Sequence, residues 1–321
     1  MTGSVSAGKA LAEKITFPVH SVYRHTVNIS VKSEIYALHP ERIPMTPLSL
    51  AIPLDGSEFD IFAAAAKENG RVKILLMPEK KEDSGWSDGE SELQAVLAAG
   101  RRRWTAGRWN SWEPRLQVRL GKERLLLLGR LTAEFLRKYG RKKGGFGSAA
   151  ALADTSFREQ KTVSLETLLE ERLQEMVWNL LDKGNPRQEG FAEQLVSFVG
   201  LGVGLTPSGD DFLEGVLLAF QTAQFPDTEQ IREKLEKTLW KASAGTNDIS
   251  GQYLRCACRG EYGIRFHRLM QACEEPQEQT AEREIWSALE LTAGIGHSSG
   301  TDTLNGLLAG IRLLCGRDAG R

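Results

Sequence analysis

Between Pro18 and Pro53 apolar and polar positions alternate, at Val27, Ile29, Val31 and Ile35, before prolines break the chain into short pieces. A period of two puts every second side chain on one face and predicts half-buried strands. The runs VKILLMP (72–78) and LQVRLGKERLLLL (116–128), the latter with Gly121 and Lys122 as a turn, predict further strands, and the polar stretch 79–91 predicts a solvated loop. From Ser164 the period changes. Leu165, Leu168, Leu169, Leu173, Met176, Val177, Leu180 and Leu181 recur at helical spacing and stop at Gly184. Further helices are predicted over 189–199, 227–242, 249–259, 264–273, 278–291 and 303–314. The expected fold is therefore α+β. A β-rich domain spans 1–138 with a basic, Trp-bearing loop near 101–115, a glycine-rich linker follows at 139–163, and an α-helical domain spans 164–321.

The 321 residues suit about two domains. With 41 Lys+Arg against 42 Asp+Glu, the balance argues against a generic binder of polyanions such as nucleic acid. No stretch approaches the roughly 18 uninterrupted apolar residues of a membrane span, and the start has no apolar core behind a basic cap, so a cytoplasmic protein with no membrane partner is expected. Cys256, Cys258, Cys273 and Cys315 all fall in the last quarter of the chain, which does not resemble a secreted disulfide framework. Cys256 and Cys258 diverge at i, i+2 on a helix, so buried thiols are expected rather than a metal cluster with His267. Neither metal nor cofactor is expected.

Arg101, Arg102, Arg103, Arg108 and Arg115 interleave with Trp104, Trp109 and Trp112. Arginines neutralise phosphates and indoles stack on bases, but the same residue types anchor protein interfaces or cover a core edge. The neutral overall charge ranks nucleic acid last of these.

The most specific signal is an internal repeat. SGDDFLEG (208–215) aligns without gaps on SGTDTLNG (299–306), 91 residues later, sharing S-G-x-D-x-L-x-G. Each copy follows a glycine-rich run, GLGVGLTP or GIGH, and ten of the 32 glycines fall within 200–215 and 294–310. Repeats therefore occupy 200–220 and 294–314. Two copies suggest a pseudo-twofold pair of units. Ser208 with Asp211, and Ser299 with Asp302, have the spacing of a capping box, which would explain Ser and Asp but not the rest. Gly215 and Gly306 lie inside helices, where glycine costs about 1 kcal/mol relative to alanine. With Ala219 and Gly310 they form small-residue faces, predicting that the two helices pack closely and bring their N-termini together.

Such N-termini present free amides and the positive end of the helix dipole, a natural phosphate or carboxylate site. Gly204, Thr206, Ser208, Gly209, Asp210, Ser298, Ser299 and Gly300 are the candidate binding residues, and His297, Asp211 and Asp302 the candidate catalytic ones. Asp210, Asp211 and Asp302 would repel an anion unless they turn away as caps or hold a cation or a substrate amide. Thr246 and Ser250, one turn apart, either reach the same pocket or cap their own helix.

GLGVGLTPSGDDFLEGVLLAF, TNDISGQYLRCACRGEY, GHSSGTDTLNGLLAGI and VHSVYRHTVNI together resemble the AllH-like family of bacterial proteins, once a domain of unknown function and sometimes labelled carboxylases. The resemblance covers most of the chain from about Val19 to Leu314, and its matching positions are 204–211, Thr246, Ser250 and 296–302. It implies a multi-subunit transferase: some members are one subunit of a three-component oxamate carbamoyltransferase of allantoin and purine breakdown, which turns oxalurate and phosphate into oxamate and carbamoyl phosphate. A small anionic substrate, phosphate and other subunits are the implied partners. The alternatives are a non-catalytic scaffold or regulatory subunit that binds a small anion, and a carboxylase-like enzyme acting on another small acid. Phosphorolysis needs phosphate held against a carbonyl, oxyanion stabilisation and a proton for the leaving nitrogen. Amides and hydroxyls at the repeats suit the first two needs and His297 the third, while an arginine for the oxalurate carboxylate would come from Arg255, from 101–108 or from another subunit.

Overall fold

The structure, a computed structural model, describes residues 1–4, 11, 15–78, 93–108, 110–140, 145–147, 149–152 and 165–316. The loop read at 79–91, Trp109, and positions 141–144, 148 and 153–164 of the expected linker lie outside the described residues. The chain forms an α+β protein of two compact units, Met1–Pro114 and Arg115–Arg321.

The first unit is one nine-stranded sheet. Its strands are β1 (Thr2–Ser4), β2 (Thr16–Tyr23), β3 (Thr26–Val31), β4 (Glu34–Pro40), β5 (Ser49–Ile52), β6 (Arg71–Pro78), β7 (Leu93–Ala99), β8 (Arg102–Arg108) and β9 (Asn110–Trp112), in the order β8-β7-β6-β2-β3-β4-β5-β1-β9. Val27, Ile29 and Val31 all face the core, as the alternation requires. Against that face packs α1 (Gly56–Asn69), which the period-two reading did not announce. Asp55 and Glu58 form its capping box, Phe59, Phe62, Ala63 and Ala66 line its buried side, and Gly70 closes it at φ 65°.

The second unit contains α2 (Lys122–Tyr139), α3 (Ala149–Leu152), α4 (Leu165–Lys183), α5 (Phe191–Val196), α6 (Ser208–Thr222), α7 (Thr228–Ala242), α8 (Asp248–Cys258), α9 (Ile264–Ala272), α10 (Glu278–Ala293) and α11 (Ser299–Cys315). The strand expected at 116–128 is a correction. Leu116, Val118 and Leu120 do alternate with exposed partners, but they form only an isolated bridge, Leu120 to Ala223; Gly121 opens α2 rather than a hairpin. Leu125, Leu128, Leu131 and Leu136 are all buried, so the helical period wins once four leucines share one face.

Helices α6 and α11 share the most extensive helix contact of the unit. A Cβ on Gly215 would run into the Thr303 carbonyl, and one on Gly306 into the Phe212 carbonyl; one on Gly310 would come within 2.6 Å of Ala219 Cβ. The glycines thus permit a backbone-to-backbone crossing, and both helices are buried nearly all round. None of the four cysteines forms a disulfide; Cys256, Cys258 and Cys273 are buried. Burial pushes the Cys258 and Cys273 thiols up to about 12, which keeps them protonated. Among the described residues no helix is long and apolar enough to cross a membrane, and no three His, Cys, Asp or Glu side chains are grouped to hold a metal ion.

Candidate functional site at the paired helix entrances

Helix α6 starts at Ser208 behind Pro207, and α11 at Ser299 behind Ser298. The loop before α6 folds back on itself through Gly200, Gly202 and Gly204, all at positive φ. That fold satisfies amides expected to be free. Gly209 N–H donates to Leu201 O at 2.7 Å, Asp210 and Asp211 N–H to Pro207 O, Gly300 N–H to Ile295 O and Asp302 N–H to Ser298 O.

Neither helix has a side-chain cap, so the capping boxes expected at Ser208 and Ser299 do not form. The two motifs exchange partners instead. Asp302 of α11 lies beside the Ser208 and Ser298 hydroxyls and accepts from Phe146 N–H at 3.0 Å, whereas Asp211 of α6 lies beside the hydroxyls of Ser299 and Thr206. Thr206 Oγ1 and Ser299 Oγ are themselves 2.8 Å apart. A buried carboxyl needs donors, and each repeat supplies them to the other, which competes successfully with local capping. Oδ2 of both Asp211 and Asp302 is buried with no hydrogen-bond partner. Desolvation, then the nearby Glu214 and Asp302, raises Asp211 far above the usual carboxylate range; desolvation likewise lifts Asp302 to about 6. One turn into α6, burial and the neighbouring Asp210 push Glu214 up to about 8.

Asp210, fully buried, does different work. Its Oδ1 accepts from Gly200 N–H at 2.8 Å, and its Oδ2 from Thr246 Oγ1 at 2.6 Å and Ser250 Oγ at 2.7 Å. Thr246 and Ser250 therefore converge on the first entrance, and the cap of α8 is Asn247, which accepts from Ser250 N–H. The second repeat has Thr301 at the place of Asp210, so this arm of the pseudo-twofold pair is unmatched.

The family described as oxamate carbamoyltransferase subunit AllH matches residues 198–311. Over those residues the chain is AllH-like. No solved structure matches the chain. The AllH-like segment takes in both entrances, the crossing of α6 with α11 and the Thr246–Ser250 turn.

Sequence reasoning missed residues that brace the AllH-like segment. Asn305 donates to Gly147 O at 2.7 Å and to Thr301 O, and accepts from Ala150 N–H at 3.1 Å; Arg312 bonds Ala150 O. Phe146 lies fully buried within the stretch expected as linker, stacked on Phe212 at 4.8 Å. The available signal was Asn305 itself, a polar residue at an interior helix position where the first repeat has Glu214. His297 is exposed in the turn before α11, and Gly204 is exposed with open space around its Cα. Arg255 donates to Ser243 Oγ at 3.2 Å.

Proposed function

We propose that the chain is a subunit of an oxamate carbamoyltransferase, acting in the conversion of oxalurate and phosphate into oxamate and carbamoyl phosphate. The reciprocal placement of Asp211 and Asp302 beside hydroxyls of the opposite repeat, inside the AllH-like segment, carries this reading. In the reaction a phosphate oxygen bonds to the carbamoyl carbon, the bond from that carbon to the oxamate nitrogen breaks, and the nitrogen takes a proton. A neutral Asp211 does not repel phosphate at the helix mouths, and Asp302, lifted to about 6, carries its charge only above that pH, which reduces the objection that these acids raise. In this reading the partly exposed Thr206, Ser298 and Ser299 donate to a bound oxyanion and the exposed His297 protonates the leaving nitrogen. Ser208, Gly209, Asp210, Gly300, Thr246 and Ser250 hold the mouths in shape, with Gly204 at their rim. In this reading an arginine for the oxalurate carboxylate comes from Arg255, from 101–108 or from another subunit.

The test is reconstitution with the partner subunits and measurement of carbamoyl phosphate formed from oxalurate. Activity should require this chain, and His297→Ala and Asp211→Asn should each lower turnover per assembled complex by at least about tenfold. An inactive complete complex overturns the reading. A second reading rests on a specific observation: Thr206 and Ser299 bond one another, and both Asp210 oxygens are engaged, as in a joint that needs no ligand. In such a scaffold the same variants would change assembly or thermal stability and leave turnover per assembled complex intact.

A further inference from the structure

Among the described residues strand β8 ends the sheet at one edge, paired with β7 through Arg108 with Gln94, Thr105 with Val96, Trp104 with Leu97, Arg103 with Ala98 and Arg102 with Ala99. Beyond Thr105 the register shifts, so the regular free edge is Arg102–Thr105. Alternate residues there turn N–H and C=O groups away from β7, and Arg101, Arg102, Arg103 and Thr105 are exposed. Among the described residues of β6, β7 and β8 the charged side chains have one sign. Lys73 of β6 lies in the same cross-strand row as Ala98 and Arg103, two strand spacings or about 10 Å across, and the exposed Arg71 precedes it on the same face. Among the described residues none of Arg71, Lys73, Arg101, Arg102 and Arg103 makes an ion pair.

Among the described residues the aromatic half of a nucleic-acid platform is missing at this edge. Trp104 is half-buried, its ring edge-on to Phe62 of α1 at 5.3 Å and 87°, and so belongs to the core. Trp112 lies on β9, the strand at the other end of the sheet order. Arginine without free rings offers charge but no stacking surface for bases. The same arginines repel a second copy of β8, which excludes edge-to-edge self-association. We propose that the β8 edge at Arg102–Thr105 receives an extended acidic segment of a partner protein as an added strand, its backbone extending the ladder and its carboxylates meeting Arg103 and Lys73 on one face, with Arg102 on the other face adding to the positive field. This does not depend on the carbamoyltransferase reading.

The test uses the full chain and, as probe, a dye-labelled peptide of alternating valine and glutamate followed by fluorescence anisotropy. Controls are the same peptide with lysine in place of glutamate, and a short oligothymidylate. The acidic peptide should bind, the lysine peptide should not, and raising sodium chloride to about 0.5 M should weaken binding at least about tenfold. Arg102→Glu with Arg103→Glu should weaken it as much, with the milder alanine pair intermediate, and bound peptide should slow amide exchange at 102–105. The proposal is overturned if the acidic peptide fails to bind, if oligothymidylate binds more tightly, if both double variants bind like the parent, or if exchange at 102–105 is unchanged by bound peptide.

Discussion

Gly215 of α6 and Gly306 of α11 meet where each helix occupies the place of the other's missing side chain, Gly215 against the Thr303 carbonyl and Gly306 against the Phe212 carbonyl. A methyl group at either position must push apart helices that are buried nearly all round, because a backbone carbonyl cannot rotate away. Gly306→Ala should therefore cost about 3 kcal/mol despite the better helix propensity of alanine. Gly121→Ala, at a helix start with open space around it, should cost only a few tenths. Urea unfolding of both variants checks this, and equal stabilities would rule out the tight crossing.

Asp302 makes stability depend on pH in an unusual direction. Its folded pKa, about 6, lies above its ordinary 3.8, so the fold favours the protonated acid. The associated stability is fully present below pH 3.8 and is lost as pH rises through about 6. At about 1.36 kcal/mol per pH unit the loss is on the order of 3 kcal/mol. Asp211 and Glu214 are shifted the same way, Glu214 to about 8, and extend the decline upward. Asp302→Asn cannot ionise and should flatten the profile between about pH 4 and pH 6. Unfolding free energies of parent and variant across that window decide it; parallel profiles would remove Asp302 as the source.

How far the sequence reads through to this arrangement depends on the range of the forces involved. The crossing of α6 and α11 was legible, since an interior glycine in two aligned repeats has few explanations other than close approach. The capping role read for Ser208 and Ser299 was not. Spacing within one segment cannot show that a serine will donate to a carboxyl 94 residues away or, in the other repeat, 88 residues back. Helix α1 was legible in principle from D-x-x-E followed by FDIFAAAAKENG, but its alanines dilute the apolar stripe. The strand expected at 116–128 failed because a real alternation at 116–120 runs into a leucine cluster that satisfies both periods. Phe146 sits among glycines and lysines, a composition that hides a core residue.

Asn305 should prove a brace for the segment 145–152 rather than a helix stabiliser. Its amide holds Gly147 O and Ala150 N–H, backbone groups that would otherwise lie buried without those partners. Asn305→Leu fills similar volume while removing both bonds, so a loss of about 2 to 3 kcal/mol is expected from stranded backbone groups. Hydrogen exchange distinguishes this from general damage. Amides of Phe146 and Ala150 should exchange much faster in the variant while those in the middle of α10 change little; uniform acceleration would mean that Asn305 supports α11 itself.

Asp210 predicts an interaction energy that a cycle can isolate. Its carboxylate gathers the Gly200 amide, Thr246 and Ser250 onto one fully buried group, so Ser250→Ala leaves an acceptor short and should destabilise by about 1 to 3 kcal/mol. Asp210→Asn keeps the shape but replaces one acceptor oxygen with a donor that faces hydroxyls able to reverse their roles, so a smaller loss is expected. Once Asp210 is changed, Ser250→Ala should cost far less than in the parent, because the bond it removes is already altered. Denaturation of the two single variants and the double variant gives the coupling, which should be on the order of 1 kcal/mol. Additive losses would mean that Ser250 acts through α8 alone, and that the first entrance is not fixed by Asp210.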